Sequence, residues 1–256
     1  MLTEGEFERM CVVLVRARNP SNIGAVARAM YDFGFRRLRV VNEFPVPFEA
    51  ARSAVDASEV LAGAAIYSSV ADAVADCTLV VGTTSVGERD LQHELLPLVE
   101  AAPQMRAELE SDGGRVALLF GSEKTGLSNE ELSHCNWLLT VPMQEHAGLR
   151  HPSMNLGQAV AVCLYELVRG RPHDAASAAN PQLDAAPPTS ANLERITALL
   201  LEVMEKTEYT RRHAHNCDPS QVRRLVRRIG VDAVDAPVWL GILKQILWKL
   251  TGKRDD

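Results

Sequence analysis

Leu118-Leu119-Phe120-Gly121-Ser122-Glu123-Lys124-Thr125-Gly126-Leu127 is the stretch on which the fold turns. The apolar run from Val116 to Phe120 reads as a short buried strand. It breaks at Gly121 into a loop carrying one carboxylate and a second glycine, and Ser128 or Asn129 can cap the helical turn that follows. Strand, glycine loop and helix start, in that order, are how an α/β sheet presents backbone amides to a ligand. Many strand ends carry a glycine only for the turn, so the loop decides little by itself. Residues 22–28 and 153–155 supply what it lacks.

Outward from this stretch, apolar runs at 11–15, 38–41, 65–67, 78–81 and 137–141 read as further strands. Between them lie helical segments: one from a cap at Ser21 or Asn22 to about Phe33, an alanine-rich one at 49–61, one at 71–75 and one at 97–110. The first carries Ile23, Val26, Ala27 and Met30 on one side, and Gly34 stops it. A strongly apolar helix follows at 155–169, with Ala159, Val162, Cys163 and Leu167 on its expected buried side. Strands alternating with helices predict an α/β domain with a largely parallel sheet over residues 1–170.

The composition then changes. Residues 171–190, rich in Ala, Pro, Ser and Asn, read as a linker. Three helices are expected in the tail, residues 191–256, at 192–206, 219–229 and 237–250. In the middle one Val222, Leu225, Val226 and Ile229 face one way. Arg223, Arg224, Arg227 and Arg228 form the other side, a basic stripe at helical spacing.

At 256 residues and 46% apolar content the chain can bury a sizeable core. No apolar run is long enough to span a bilayer, and the first ten residues lack the basic start and apolar centre of a signal peptide. Five scattered cysteines without a C-x-x-C pair argue against a disulfide framework, so a reduced, cytoplasmic protein is expected. The net charge of −6 argues mildly against nucleic acid. Basic residues cluster locally, however, at Arg36-Arg37-Leu38-Arg39, at Arg211-Arg212 and along the 219–229 helix. His213, His215 and Cys217 have metal-ligand chemistry but no second cluster nearby, and no metal is expected.

Three motifs in order then carry a resemblance. Asn22-x-Gly24-x-x-x-Arg28, Phe120-Gly121-x-Glu123-x-x-Gly126-Leu127, and Val141-Pro142 followed by Ser153-x-Asn155 resemble the three motifs of the SpoU-type RNA 2′-O-ribose methyltransferases. Val80-Val81-Gly82-Thr83-Thr84, Ala25-Val26-Ala27-Arg28-Ala29-Met30 and Leu127-Ser128-Asn129-Glu130-Glu131-Leu132 are similar to the TrmJ-type branch of that family. The likeness covers about residues 11–169, and more loosely the tail. It implies a sheet whose C-terminal part forms a trefoil knot, S-adenosyl-L-methionine held in the knotted loops, and a homodimer with each active site at the subunit interface. The link at 144–152 departs from the family's short connection, being longer and more polar.

By the same resemblance Thr83, Thr84, Ser85, Gly121, Val141, Pro142, Ser153 and Met154 hold the cofactor, and Arg28, Asn155 and Glu123 are catalytic. Asn22, Arg28, Arg223 and Arg227 are the expected substrate contacts. The residues themselves leave alternatives. Arg28 can simply pair with Glu123 or Asp32, Asn155 can be no more than a helix cap, and Glu123 can orient Arg28 or be a solvated loop charge. A guanidinium stays protonated at neutral pH, so Arg28 suits stabilisation of an oxyanion as well as action on a ribose hydroxyl whose proton goes to an RNA phosphate. The activity implied is methylation of a ribose 2′-hydroxyl of tRNA, at the cytidine or uridine of anticodon-loop nucleotide 32. Ribosomal RNA as the target, or a non-catalytic RNA-binding protein on the same fold, are the alternatives. A nucleotide-binding oxidoreductase is disfavoured, because no G-x-G-x-x-G follows the first strand.

Overall fold

A computed structural model describes residues 2–42, 58–85, 91–144, 154–169 and 187–252. Seven strands form one sheet: β1 (Met10–Val15), β2 (Arg37–Val41), β3 (Ala65–Tyr67), β4 (Leu79–Thr83), β5 (Leu95–Pro97), β6 (Val116–Phe120) and β7 (Trp137–Thr140). Their order is β3-β2-β1-β6-β4-β7-β5, and every neighbouring pair is parallel. The helices are α1 (Glu4–Phe7), α2 (Pro20–Asp32), α3 (Ser58–Ala62), α4 (Val70–Ala73), α5 (Leu98–Glu110), α6 (Asn129–Leu132), α7 (Leu156–Val168), α8 (Ser190–Lys206), α9 (Tyr209–Arg212), α10 (Pro219–Arg228) and α11 (Asp235–Thr251).

The central strands β1 and β6 are buried at every residue, because helices cover both faces of the sheet. Val12, Leu14, Leu118 and Phe120 face one layer, where they meet apolar residues of α2, α5 and α7. Cys11, Val13, Val15, Ala117 and Leu119 face the other, against α4 and α6. The tail has its own small core around Leu193, Ile196, Val226, Val231 and Leu243. It is joined to the second layer by backbone bonds from Ser190 N–H to the Cys77 carbonyl (2.8 Å) and from Ala191 N–H to the Ala75 carbonyl (3.1 Å).

Several details differ from the sequence reading. Helix α2 is capped by Asn19, whose side chain accepts from Ser21 N–H at 2.9 Å with Pro20 in the first turn, so the cap is neither Ser21 nor Asn22. Strand β5 is new; at three residues and an edge position, it lacks the apolar run that marks a central strand. On α7 the buried side is Val160, Cys163, Leu164 and Leu167, with Ala159 and Val162 only half-buried. The alanine-rich helix lies within the described residues only at Ser58–Ala62. Most of the linker lies outside them, and α8 already begins at Ser190. Residues 145–153, on the connection to which the implied knot belongs, lie outside them too.

The basic clusters are also redistributed. Arg39 is buried on β2, where it donates to the Ala73 carbonyl (2.6 Å) and pairs through two nitrogens with Asp76. Its hydrogen bonds hold Asp76 down at about 2, against the opposing effect of burial. On α10 the inward face is Val222, Arg223, Val226 and Arg227, while Leu225 and Ile229 are exposed. The reason lies opposite, in Glu194 of α8: it receives Arg223 Nε at 3.1 Å and Arg227 Nη2 at 3.0 Å.

Candidate active site

Strands β4, β6 and β7 all end at the same edge of the sheet, and the loops leaving them enclose a cleft of about 820 Å³. That position, at the carboxyl ends of parallel strands, is where open α/β sheets bind ligands. The cleft is also within the roughly 300–1,000 Å³ typical of small-molecule sites. Thr83, Thr84 and Ser85 line it from β4, residues 120–127 from β6, Val141 and Met143 from β7, and Met154, Asn155 and Leu156 from the start of α7.

Gly121 opens the β6 loop. A Cβ there would lie 2.1 Å from the carbonyl carbon of Gly126 and 2.2 Å from Leu127 N, so no side chain fits while the loop folds back on itself. The return is fastened by Gly126 N–H to the Ser122 carbonyl (2.8 Å) and by the Ser122 and Thr125 hydroxyls, 2.8 Å apart. Gly126 needs its glycine for another reason, a φ of +65°. The overlap that requires glycine at 121 is therefore with its own loop. Ser128 caps the next helix in a reciprocal box with Glu131.

At the cleft's rim three distant side chains form a chain of hydrogen bonds. Asn22 Nδ2 donates to Glu123 Oε1 at 3.0 Å, and Asn155 Nδ2 donates to Asn22 Oδ1 at 3.0 Å. Asn155 Oδ1 meanwhile accepts from Gly157 N–H, which caps α7. One side-chain atom of Asn155 thus caps the helix while the other reaches the rim. The residues meet because α2 and α7 approach closely. A Cβ on Gly157 would lie 2.6 Å from the Ala25 side chain.

The expected site residues divide as follows. Thr83, Thr84, Ser85, Gly121, Val141, Met154, Asn22, Glu123 and Asn155 line the cleft. Pro142 is exposed and does not line it. Ser153 lies outside the described residues. Arg28 sits beyond the cleft of its own chain, half-exposed on α2, with Nε 3.2 Å from Asp32 Oδ1. Arg223 and Arg227, whose side chains are 14% and 3% exposed, are turned into the Glu194 network and away from solvent. That placement corrects their reading as an open basic stripe.

Sequence reasoning missed the cleft's apolar wall, where Leu139, Leu156, Ala159 and Cys163 contribute. Burial pushes the Cys163 thiol up to about 12, so it is a neutral wall and not a nucleophile. It also missed Arg16 and Glu131, which brace the β6 loop from behind; their opposite charges stand far apart in sequence and carry no local motif.

A glycine loop at a strand end, an asparagine capping the last helix of the domain and a second asparagine closing on both make a specific constellation. The sequence pattern of the SpoU rRNA Methylase family matches residues 9–165. The chain belongs to the SpoU methylase family. Among curated relatives it is 33% identical, over 94% of this chain and 97% of the other, to the tRNA (cytidine/uridine-2'-O-)-methyltransferase TrmJ of Pectobacterium atrosepticum. It is 34% identical to the enzyme of that name from Yersinia enterocolitica, over 92% of this chain and 90% of the other. Among solved structures, TrmJ from Z. mobilis ZM4 superposes with a TM-score of 0.74 at 28% identity, covering 93% of this chain and 98% of that one. SpoU membership and the parallel sheet agree with the sequence reading.

Proposed function

We propose that this chain is an S-adenosylmethionine-dependent methyltransferase acting on a ribose 2′-hydroxyl of tRNA, at the cytidine or uridine of nucleotide 32. The observation that carries the reading is the Asn155–Asn22–Glu123 chain at the rim of the glycine-loop cleft. The relatives' names, over nearly the whole length, support the substrate.

The cleft's lining suits the cofactor. Leu139, Leu156 and Ala159 make an apolar wall in a cleft that Thr83, Thr84 and Ser85 also line, a combination fitted to an adenine ring with its sugar. When bound, S-adenosylmethionine supplies an electrophilic methyl on a sulfonium. The chain's own residues do the rest: the 121–127 loop offers backbone groups, and Asn155 and Asn22 position the ribose edge. The Arg28 guanidinium stabilises the developing oxyanion, and the proton of the hydroxyl passes to an RNA phosphate.

Arg28 lies outside its own chain's cleft, so the site we propose is completed by a second copy. The half-exposed faces of α2 and α7 around Phe33 and Tyr165 are where that copy would sit, each site receiving the other chain's guanidinium. Five free cysteines and an RNA substrate accord with a cytoplasmic protein, and no helix among the described residues is long and apolar enough to cross a membrane.

The test is methyl transfer from labelled cofactor to tRNA transcripts and to ribosomal RNA, with the modified nucleotide located by its resistance to alkaline cleavage. The expected product is tRNA resistant at nucleotide 32. Label in ribosomal RNA alone would overturn the substrate, and no transfer to either RNA would overturn the activity. Arg28→Ala should abolish transfer and keep cofactor binding.

A further inference from the structure

A second cavity, of about 240 Å³, lies between the α/β domain and the tail. At about 30 Å³ per water it has room for a phosphate and several waters. Gln92 and His93 line it ahead of β5, Asn129 at the start of α6, and Asp218, Ser220 and Arg224 from the first turns of α10. Nothing in the cleft or in the proposed reaction uses it.

Three observations point to an anion. First, His93 Nε2 is enclosed and has no hydrogen-bond partner among the described residues. A buried imidazole nitrogen ordinarily has one. Second, Arg223 and Arg227 are consumed by Glu194, whereas Arg224, next to Arg223 and one turn before Arg227, lines the cavity and makes no ion pair within 4 Å among the described residues. Third, α10 is a ten-residue helix whose N-terminus opens on the cavity, adding its partial positive charge. The opposing charge is Asp218, which lines the same cavity and attracts Arg224; its Oδ1 caps α10, accepting from Gln221 N–H at 3.0 Å, and this ties the carboxylate to the helix terminus. Burial, with Arg224, Arg227 and Arg228 nearby, pushes His93 down to about 4, so a neutral ring faces the field of these arginines. An anion would reverse that field.

We infer that the pocket formed by His93, Asn129, Ser220 and Arg224 binds a backbone phosphodiester of the RNA substrate. The inference rests on the proposed action on RNA and adds a contact to it. One lining segment lies between β4 and β5 and the other follows the β6 loop, and the residues just after β4 and β6 also line the cleft. A phosphate bound here is therefore held by both domains at once, and it registers the RNA relative to the cleft. A phosphodiester carries one charge and suits one guanidinium with the neutral donors Asn129, Ser220 and His93 beside it.

The test uses the full-length protein. Equilibrium binding of tRNA is measured across a salt series for wild type, Arg224→Gln, Arg224→Lys and Arg211→Gln, with cofactor affinity and thermal melting recorded alongside. Arg224→Gln should weaken tRNA binding about tenfold and reduce the slope of log K against log salt by about 1. Arg224→Lys should recover most of the loss, and Arg211→Gln, an exposed arginine away from the pocket, should keep the wild-type slope. Cofactor affinity and melting should not move. In parallel, the His93 ring resonance should shift on adding tRNA.

Each other result overturns the inference. An unchanged slope for Arg224→Gln, in a protein that binds and methylates tRNA normally, removes this contact and leaves the functional reading standing. A His93 resonance that responds to inorganic phosphate and not to tRNA assigns the pocket to a small phosphate. Failure of the wild type to bind tRNA at all defeats the functional reading, and this inference with it.

Discussion

Arg16 holds Glu131 through both sides of its guanidinium: Nε lies 2.6 Å from Oε1, and Nη2 lies 2.9 Å from Oε2. The same Nη2 donates to the Gly126 carbonyl at 3.0 Å, so one side chain at the end of β1 steadies both the return of the β6 loop and the helix after it. Arg16 adopts φ +57°, a left-handed conformation that costs a non-glycine residue about 1 kcal/mol. Burial alone would raise the Glu131 carboxyl; the Arg16 hydrogen bonds and the Ser128 N–H outweigh it, and the net shift is downward.

Arg16→Ala should therefore loosen the cleft loop without touching its lining. We expect KM for the cofactor to rise about tenfold while kcat falls less, with stability reduced by about 2 kcal/mol because Glu131 is left partly buried and unpaired. Arg16→Lys should recover part of the affinity. Steady-state kinetics and denaturant unfolding of the three proteins check this.

Gly121→Ala places a methyl group inside the returning backbone, at 2.1 Å from a carbonyl carbon. The loop must open, and cofactor binding measured by calorimetry should disappear. Gly126→Ala meets nothing within 4 Å and should cost only the left-handed backbone, about 1 kcal/mol, with binding weakened and not lost.

If each site takes Arg28 from the other copy, the variants Arg28→Ala and Asn155→Ala should each be inactive alone and should complement when co-refolded. A mixed dimer then holds one intact site, so activity should return to about a quarter of wild type for random pairing. Continued inactivity of well-mixed dimers would place both residues of a site in one chain.

Glu194 fastens the tail and is held at about 2, against an ordinary 4.5. Burial opposes ionisation there; the His134 ring, with Nδ1 3.4 Å from Oε1, and the charges of Arg227 and Arg223 overcome it. A lowered folded value means that the stabilisation is complete above about 4.5 and is lost as pH falls towards 2. Hydrogen exchange in α8 and α10 should accelerate over that window. In Glu194→Gln the same amides should exchange rapidly already at pH 7, with a stability loss of about 3 kcal/mol, since Arg227 remains buried without a counter-charge.

The parallel sheet was legible because its central strands are buried on both faces and therefore read as unbroken apolar runs, as at Val12 to Val15 and Leu118 to Phe120. Strand β5 was not, since three edge residues ending in Pro97 have no pattern to detect. The glycine loop and the Asn22 and Asn155 motifs located the cleft. The braces behind it, Arg16 and Glu131, are 115 positions apart and meet only in the fold. Helix α10 misled for a definite reason. Its apolar and basic residues fit two opposite faces at helical spacing, but Glu194 on the neighbouring helix α8 draws Arg223 and Arg227 inward, and Leu225 and Ile229 rotate out to water. Periodicity records what a helix can bury; it does not record what stands across from it.

The near-contact of Gly157 with Ala25 reaches beyond packing. Position 157 lines no part of the cleft, yet any bulkier residue there would wedge α7 off α2 and pull Asn155 away from Asn22. A genetic screen for loss of modification that mutagenised only the codons facing the ligand would pass over it, whereas whole-gene mutagenesis should recover inactive alleles at both members of that pair.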